Sequence, residues 1–274
     1  LEVSMVKPNP RFLPRLEESL AEAVKEAVES NGVNVYAGHA VQRIEKTAIG
    51  LNVVCRDLTL DCDMVLVGIG VIPNSDIAGK AGIQLGVGGS IAVDRKLRTS
   101  DDRIYAAGDC ADAFHVVTGQ KTWIPLALRA NRAGWAVADN VCGKTMELQG
   151  VVGTGVFKVF DMQVARTGLD LKEAAEAGFD PVENVIKSRS RAHAHPGSST
   201  IWVNMIADRK SGRLLGTQMV GKDGVAHRIN APAVALHAHM TVEQFSQTDL
   251  AYAPPFGPTW DPCLTAANQL MKKL

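Results

Sequence analysis

Neither sign of charge is in excess. Twenty-nine Lys and Arg face 29 Asp and Glu in 274 residues, so no global field draws the chain to nucleic acid or to an anionic membrane. Long apolar runs are missing too. The longest, residues 64–72, is too short to cross a bilayer as a helix and contains Gly68 and Gly70. The N-terminus lacks the charged, apolar, then small-residue order of a secretory signal. It begins at Leu1 rather than methionine, which leads us to expect a piece of a longer protein. No CxxC pair is present, and the five cysteines, Cys55, Cys62, Cys110, Cys142 and Cys263, form an odd set. A disulfide framework and a four-sulfur zinc site are therefore not expected, and no metal site is assigned. Free cysteines of this kind act as small buried hydrophobes in a reducing compartment, so the expected location is cytoplasmic. What is present, 46% hydrophobic and 21% charged residues, is the composition of a globular chain and excludes disorder as the main state.

Leu1 to Val6 reads as a strand ending against Lys7, Pro8, Asn9 and Pro10. From Leu13 onward Leu16, Leu20, Val24 and Val28 recur at helical spacing until Gly32. Strand-period runs follow at 33–36, 40–44, 51–56 and 58–61, before the fully apolar Met64 to Val67, which suits a central strand covered on both faces. Further strands are expected at 91–93 and 103–107, and a helix from Leu126 to Val141 stopped by Gly143. Its small residues Ala127, Ala130, Gly134 and Ala138 admit either a neighbouring backbone or a flat ligand. Near Gly150 the character changes. Strands are expected at 156–160, 184–189, 200–207 and 214–220, with helices at 171–177, 230–238, 242–246 and 261–271. The fold class is α/β followed by α+β.

Ile104 to Asp112 reads IYAAGDCAD. A buried strand here delivers Gly108, which lets a ligand touch backbone, and Asp109, whose carboxylate can accept hydrogen bonds from sugar or ribityl hydroxyls. The helix beginning at Leu126 offers free N–H groups to an electron-rich ring or anion. A simple turn after a strand explains Gly-Asp equally well. In VGIGVIPN, Val67 to Asn74, Gly68 and Gly70 at a strand's carboxyl end allow a dinucleotide to approach. The fuller GxGxxG phosphate loop is absent. His193 and His195 on a strand would share a face, as a metal pair requires, or are exposed loop histidines. His237 and His239 read as packing or surface residues, and Cys263 as core or as a residue set close behind the Ala251–Phe256 loop.

These segments carry a resemblance. VLVGIGVIPNSDIA, GSIAVDRKLRTSDDRIYAAGDCAD, WIPLALRANRAG, GTGVFKVFDMQVARTGL, SGRLLGTQMVG and DLAYAPPF resemble the flavin-dependent pyridine nucleotide-disulfide oxidoreductases. AYAPPF and AHPG are most similar to the coenzyme A-disulfide reductase, NADH oxidase and persulfide reductase branch. The resemblance implies partial doubly wound FAD- and NAD(P)-binding sheets plus a C-terminal dimerisation domain. The division would be residues 1–77 as the C-terminal part of the NAD(P)H-binding domain, 78–150 as the returning segment of the FAD-binding domain, and 151–274 as the dimerisation domain. By the same carry-over Asp109 would bind the FAD ribityl chain, beside Gly108, and Pro125, Leu126 and Ala127 would lie along the isoalloxazine. Asn131 would reach the substrate, Gly68 and Gly70 would border the NAD(P)H nucleotide, and Tyr252 would point from one subunit of a homodimer toward the partner's flavin.

None of the five cysteines matches the family's redox position, so no catalytic residue is assigned and the chain alone is expected to be inactive. The reaction implied is hydride transfer from NAD(P)H through FAD to a small-molecule disulfide, a persulfide or oxygen. Two alternatives stand beside an enzyme portion: a non-catalytic dimerisation module, and one subunit of a split flavoenzyme whose other chain supplies the missing half. Lys7, where relatives often carry an acid, is either a hint of NADPH preference or a solvated strand-end lysine.

Overall fold

The computed structural model describes residues 1–274. It opens on a βαβ unit. β1 (Val3–Lys7) runs parallel to β2 (Val33–Ala37), with α1 (Glu18–Ser30) as the crossover. The helix starts later than Leu13 because Pro14 keeps Leu13 out of the helical region, and Leu13 takes φ 47°. Glu17 caps the helix, its carboxylate accepting from the amides of Ser19 and Leu20. The stripe of Leu16, Leu20, Ala21 and Val24 packs on Met162, Val164 and Val220 of the C-terminal sheet. Gln218 ties the join, accepting from the Glu17 amide at 2.7 Å and donating to the Arg15 carbonyl at 2.8 Å.

β3 (Val41–Lys46), β4 (Leu51–Cys55) and β5 (Thr59–Cys62) form a three-stranded antiparallel flap. The expected central strand at 64–67 does not form. The segment pairs with no neighbour, and its apolar side chains stand in solvent, Leu66 at 94% and Ile69 at 92% exposure. Apolar content marks a residue run fit for a covered strand, but a strand also needs ladder partners. The runs at 91–93 and 103–107 are likewise reduced to isolated bridges, Ile91 to Ala111 and Arg98 to Tyr105.

After α2 (Asp76–Lys80) come the short hairpin β6 (Ala113–Phe114) and β7 (Lys121–Thr122), then α3 (Ala127–Val141). The buried Ala133 and Ala136 of α3 pack against Ile91, Val93, Ala106 and Ala111, holding the Gly108 loop to the helix.

The C-terminal part is a five-stranded antiparallel sheet in the order β10-β11-β12-β9-β8. Its elements are β8 (Gly155–Val159), β9 (Met162–Gly168), α4 (Leu171–Glu176), β10 (Pro181–Arg189), β11 (Thr200–Asp208) and β12 (Leu214–Gly221). They are followed by α5 (Val225–Arg228), α6 (Asn230–His237), α7 (Val242–Ser246) and α8 (Pro262–Leu270). Every residue of β12 is buried, as the middle of a sheet covered on both faces demands. β9 is a strand the sequence pattern does not announce. No helix is long and apolar enough to cross a membrane.

Candidate functional site

The Gly108–Asp112 loop leaves the bridge at Tyr105 and turns back on itself, the Ala111 amide donating to the Gly108 carbonyl at 3.2 Å. Gly108 takes φ 87°, and nothing lies within 4 Å of where its Cβ would be. A left-handed residue facing open space is a cradle that a side chain would fill.

Two side chains hold this loop by its carbonyls. Arg129, buried in the first turn of α3, donates through Nη1 to Gly108 at 2.9 Å and through Nη2 to Ala111 at 2.9 Å and Asp112 at 2.5 Å. The Trp123 indole N–H donates to the Asp109 carbonyl at 2.7 Å. With its backbone oxygens turned inward, the loop presents the Asp109 carboxylate outward, exposed and without a hydrogen-bond partner in the chain. Burial pushes the Arg129 pKa down, and the Asp109 and Asp112 carboxylates oppose that shift.

Behind the loop, Asp112 is buried and accepts from the Val93 amide at 3.0 Å and from the Lys121 ammonium at 2.7 Å. That carboxylate is buried and paired, whereas the Asp109 carboxylate is exposed and unpaired.

The second wall is the start of α3. Pro125 carries no N–H, and Leu126, at the cap position, provides no side-chain acceptor. The first-turn amides of Ala127 and Leu128 therefore find no acceptor in the chain. Asn131 is exposed one turn further along the same face as Ala127. The structure thus ties the Gly108–Asp112 loop to the chain that opens α3, Trp123 to Ala127, through Arg129 and Trp123, which the sequence reading did not single out, and leaves Asn131 exposed further along that helix. Nothing in the sequence singles them out, since the groups they bind are main-chain carbonyls.

The remaining expected residues lie apart from this wall. Gly68 and Gly70 sit in the unpaired 64–74 segment, Gly70 with φ 96° and open space beside it. Tyr252 is on the loop before α8, half exposed. His193 and His195 fall in turns rather than on a strand, so they share no pleated face. The His195 Nδ1–H donates to the neighbouring Pro196 carbonyl at 3.0 Å. The Lys7 ammonium folds back onto the carbonyls of Asn9, at 3.0 Å, and Arg11. Among the cysteines, Cys55 and Cys263 are buried, the Cys110 thiol turns to the Ala107 carbonyl and the Cys62 thiol to the Leu51 carbonyl.

Two family profiles match the chain. Residues 1–134 match the pyridine nucleotide-disulphide oxidoreductase profile and residues 154–262 match the dimerisation domain of the same family. The chain is 36% identical over 98% of its length to the NAD(P)H sulfur oxidoreductase (CoA-dependent) of Pyrococcus abyssi, covering 60% of that protein. It is 32% identical over its whole length to an NADH oxidase of Methanocaldococcus jannaschii, covering 61% of it. Among solved structures, an NAD-dependent persulfide reductase from A. fulgidus superposes with a TM-score of 0.95 at 37% identity, over all of this chain and 51% of that one. The chain therefore spans about three fifths of the length of these curated relatives.

Proposed function

The chain belongs to the pyridine nucleotide-disulphide oxidoreductase family, and on that premise we propose that it supplies the flavin grip and the dimer contact of an NAD(P)H-dependent oxidoreductase. The acceptor class is a disulfide, a persulfide or oxygen, in line with the names of its relatives. One observation carries the reading: an unpartnered Asp109 carboxylate beside an open left-handed glycine and an uncapped helix start. FAD, with its ribityl hydroxyls on Asp109 and its ring along Pro125, Leu126 and Ala127, would supply two-electron hydride chemistry. Arg129 and Trp123 keep the loop carbonyls away from the ligand, so that only acceptor oxygens of Asp109 meet its hydroxyls. The free amides of Ala127 and Leu128 and the positive end of α3 favour negative charge on the bound ring. Asn131 is placed to contact the acceptor, and Gly68 and Gly70 the nicotinamide nucleotide.

We assign residues 1–77 to an NAD(P)H-binding part, 78–150 to an FAD-binding part and 151–274 to dimerisation, with Tyr252 reaching the partner subunit's flavin site. A second reading is favoured by the bare 64–72 segment. Its exposed apolar side chains and unpaired backbone fit a strand completed by polypeptide other than residues 1–274, whether or not that polypeptide is a separate chain. On this reading the glycine-rich loops and the redox cysteine come from that polypeptide, and residues 1–274 alone do not turn over NAD(P)H.

The test is a FAD titration of the chain, alone and mixed with the N-terminal half of the A. fulgidus relative. Native protein is expected to bind FAD in at least one of these mixtures, and Asp109→Ala to weaken binding about 10–100-fold through lost charge-assisted hydrogen bonds. Equal affinity of native and Asp109→Ala protein would remove Asp109 from the site.

A further inference from the structure

Lys7 ends β1 at the carboxyl edge of a parallel βαβ unit, the edge from which an open α/β sheet reads a nucleotide. The lysine is not a solvated one. Its Nζ donates to the Asn9 carbonyl at 3.0 Å and to the Arg11 carbonyl, and it stands over the Phe12 ring, 5.9 Å from the centroid. The turn it holds is drawn against the loop after β2. The Asn9 side-chain oxygen accepts from the Arg11 amide at 2.9 Å, the Gly38 amide donates to the Asn9 carbonyl at 3.3 Å, and the His39 amide donates to the Lys7 carbonyl at 3.0 Å. Arg11 is exposed, and its Nη2 donates to the Leu16 carbonyl at 3.1 Å, which leaves the rest of the guanidinium without a partner in the chain. Charge of the other sign is scarce at this edge. Residues 3–16 and 33–44 hold no Asp or Glu. Of the carboxylates beyond them, Glu17 is turned to the amides of α1, and Asp57 is engaged by His39 at 2.9 Å.

We propose that Lys7 and Arg11 make this strand end a 2′-phosphate site, so that the nicotinamide coenzyme taken here is NADPH in preference to NADH. The proposal rests on the assignment of residues 1–77 to NAD(P)H binding and adds which of the two coenzymes fits. They differ by one phosphate on the adenosine ribose. A carboxylate at such a strand end accepts hydrogen bonds from the free ribose hydroxyls and repels a phosphate in their place, whereas a cation does the reverse. A phosphomonoester carries a charge of about −1.5 to −2 at neutral pH, and the two side chains oppose it with charged donors. Two of the three Lys7 N–H groups lie on carbonyls, and the third remains for an anion. Because the lysine is already folded onto backbone, little side-chain freedom is lost when that anion arrives.

Titration of the 274-residue chain with adenosine 2′,5′-bisphosphate, adenosine 3′,5′-bisphosphate and 5′-AMP, followed by amide NMR, tests this without flavin or turnover. The 2′,5′-bisphosphate is expected to bind at least about tenfold more tightly than 5′-AMP, with the largest shifts at the amides of Lys7, Arg11, Gly38 and His39 and with a preference that shrinks as salt is raised. Arg11→Ala, at an exposed side chain, should cut that preference about threefold. Lys7→Glu should abolish it, and Arg11→Ala decides the matter if the turn does not form without the lysine. Equal affinity for the two bisphosphates means unspecific attraction of anions and overturns the site. Equal affinity for the 2′,5′-bisphosphate and 5′-AMP overturns the coenzyme preference while leaving the NAD(P)H-binding assignment intact. Binding of none of the three at about 10 mM overturns both. The FAD titration of Asp109→Ala is independent of every one of these results.

Discussion

Gly168→Ala is expected to destabilise the chain by about 4 kcal/mol or more, a large share of an ordinary domain's stability. Gly168 ends β9 with φ 71°, and a Cβ there would lie 2.3 Å from the Leu215 carbonyl oxygen and 2.8 Å from the Gly216 Cα. Both atoms belong to backbone in the buried centre of the sheet, so neither can step aside without breaking the ladder. The Leu169 amide donates to that same Leu215 oxygen at 2.9 Å, and the Gly168 amide to Val152 at 2.7 Å. Across the ladder stands Gly216, whose own Cβ would meet the Leu169 oxygen at 2.0 Å. Two glycines face each other because the chain must leave β9 and enter α4 at a point of direct backbone contact. Gly143→Ala separates conformation from contact. Gly143 has φ 86° but open space around it, so its cost should be about 1–2 kcal/mol from the left-handed backbone alone. Urea unfolding of both variants measures the difference. Equal midpoints would show that the close approach at Gly168 contributes nothing.

That contrast also shows what a sequence can and cannot announce. The helices α1 and α3 were legible because burial repeats at their own period, and β10 to β12 because their apolar runs are bounded by turns. β9 was missed because Gln163 and Arg166 interrupt its apolar positions, although both faces of the strand are covered by chain from far away. Met64 to Val67 failed in the opposite direction: hydrophobicity states what a residue wants to be near, not whether a hydrogen-bonding edge is there to receive it. At the site the same division holds. Asp109 and the α3 start are visible as residue types in a strand-turn-helix order. Arg129 and Trp123 are not, since the groups they bind are main-chain carbonyls, which every residue possesses.

Two arginines have a common logic. Each donates to carbonyls of chain outside helix and strand, Arg129 to those of the Asp109 loop and Arg228 to those of Ser190 and Phe256. A planar fork of five donors can satisfy several oxygens at fixed angles, which a lysine cannot. Irregular backbone, needed wherever a ligand is to be met, is thereby braced without a helix or strand.

Between pH 7.5 and 4.5 the stability of the chain should fall by roughly 2–3 kcal/mol through one residue, His115. His115 follows β6 and is 6% exposed, within the electrostatic reach of the Arg166–Glu173 ion pair and of His237. Its Nδ1 accepts from the Val117 amide at 3.2 Å, so the ring is neutral with its proton on Nε2. Burial pulls its pKa from 6.5 down to about 4, Arg166 and His237 assist, and Glu173 opposes. A depressed pKa means that the unfolded chain binds this proton first as pH falls. The contribution is complete above the unfolded value of 6.5 and declines as pH drops toward the folded value of about 4. His237, also shifted down by burial, has the same sign, and Glu173, held below its ordinary range, acts only at lower pH. The discriminating variant is His115→Asn, whose amide oxygen can still accept from Val117 but cannot take a proton in this range. Urea titrations at pH 7.5 and 4.5 should show the native chain losing more stability than His115→Asn by that margin. A parallel decline in both proteins would mean that the His115 ring reaches water in the folded state and that its burial at the base of the hairpin loop does not govern the acid limb.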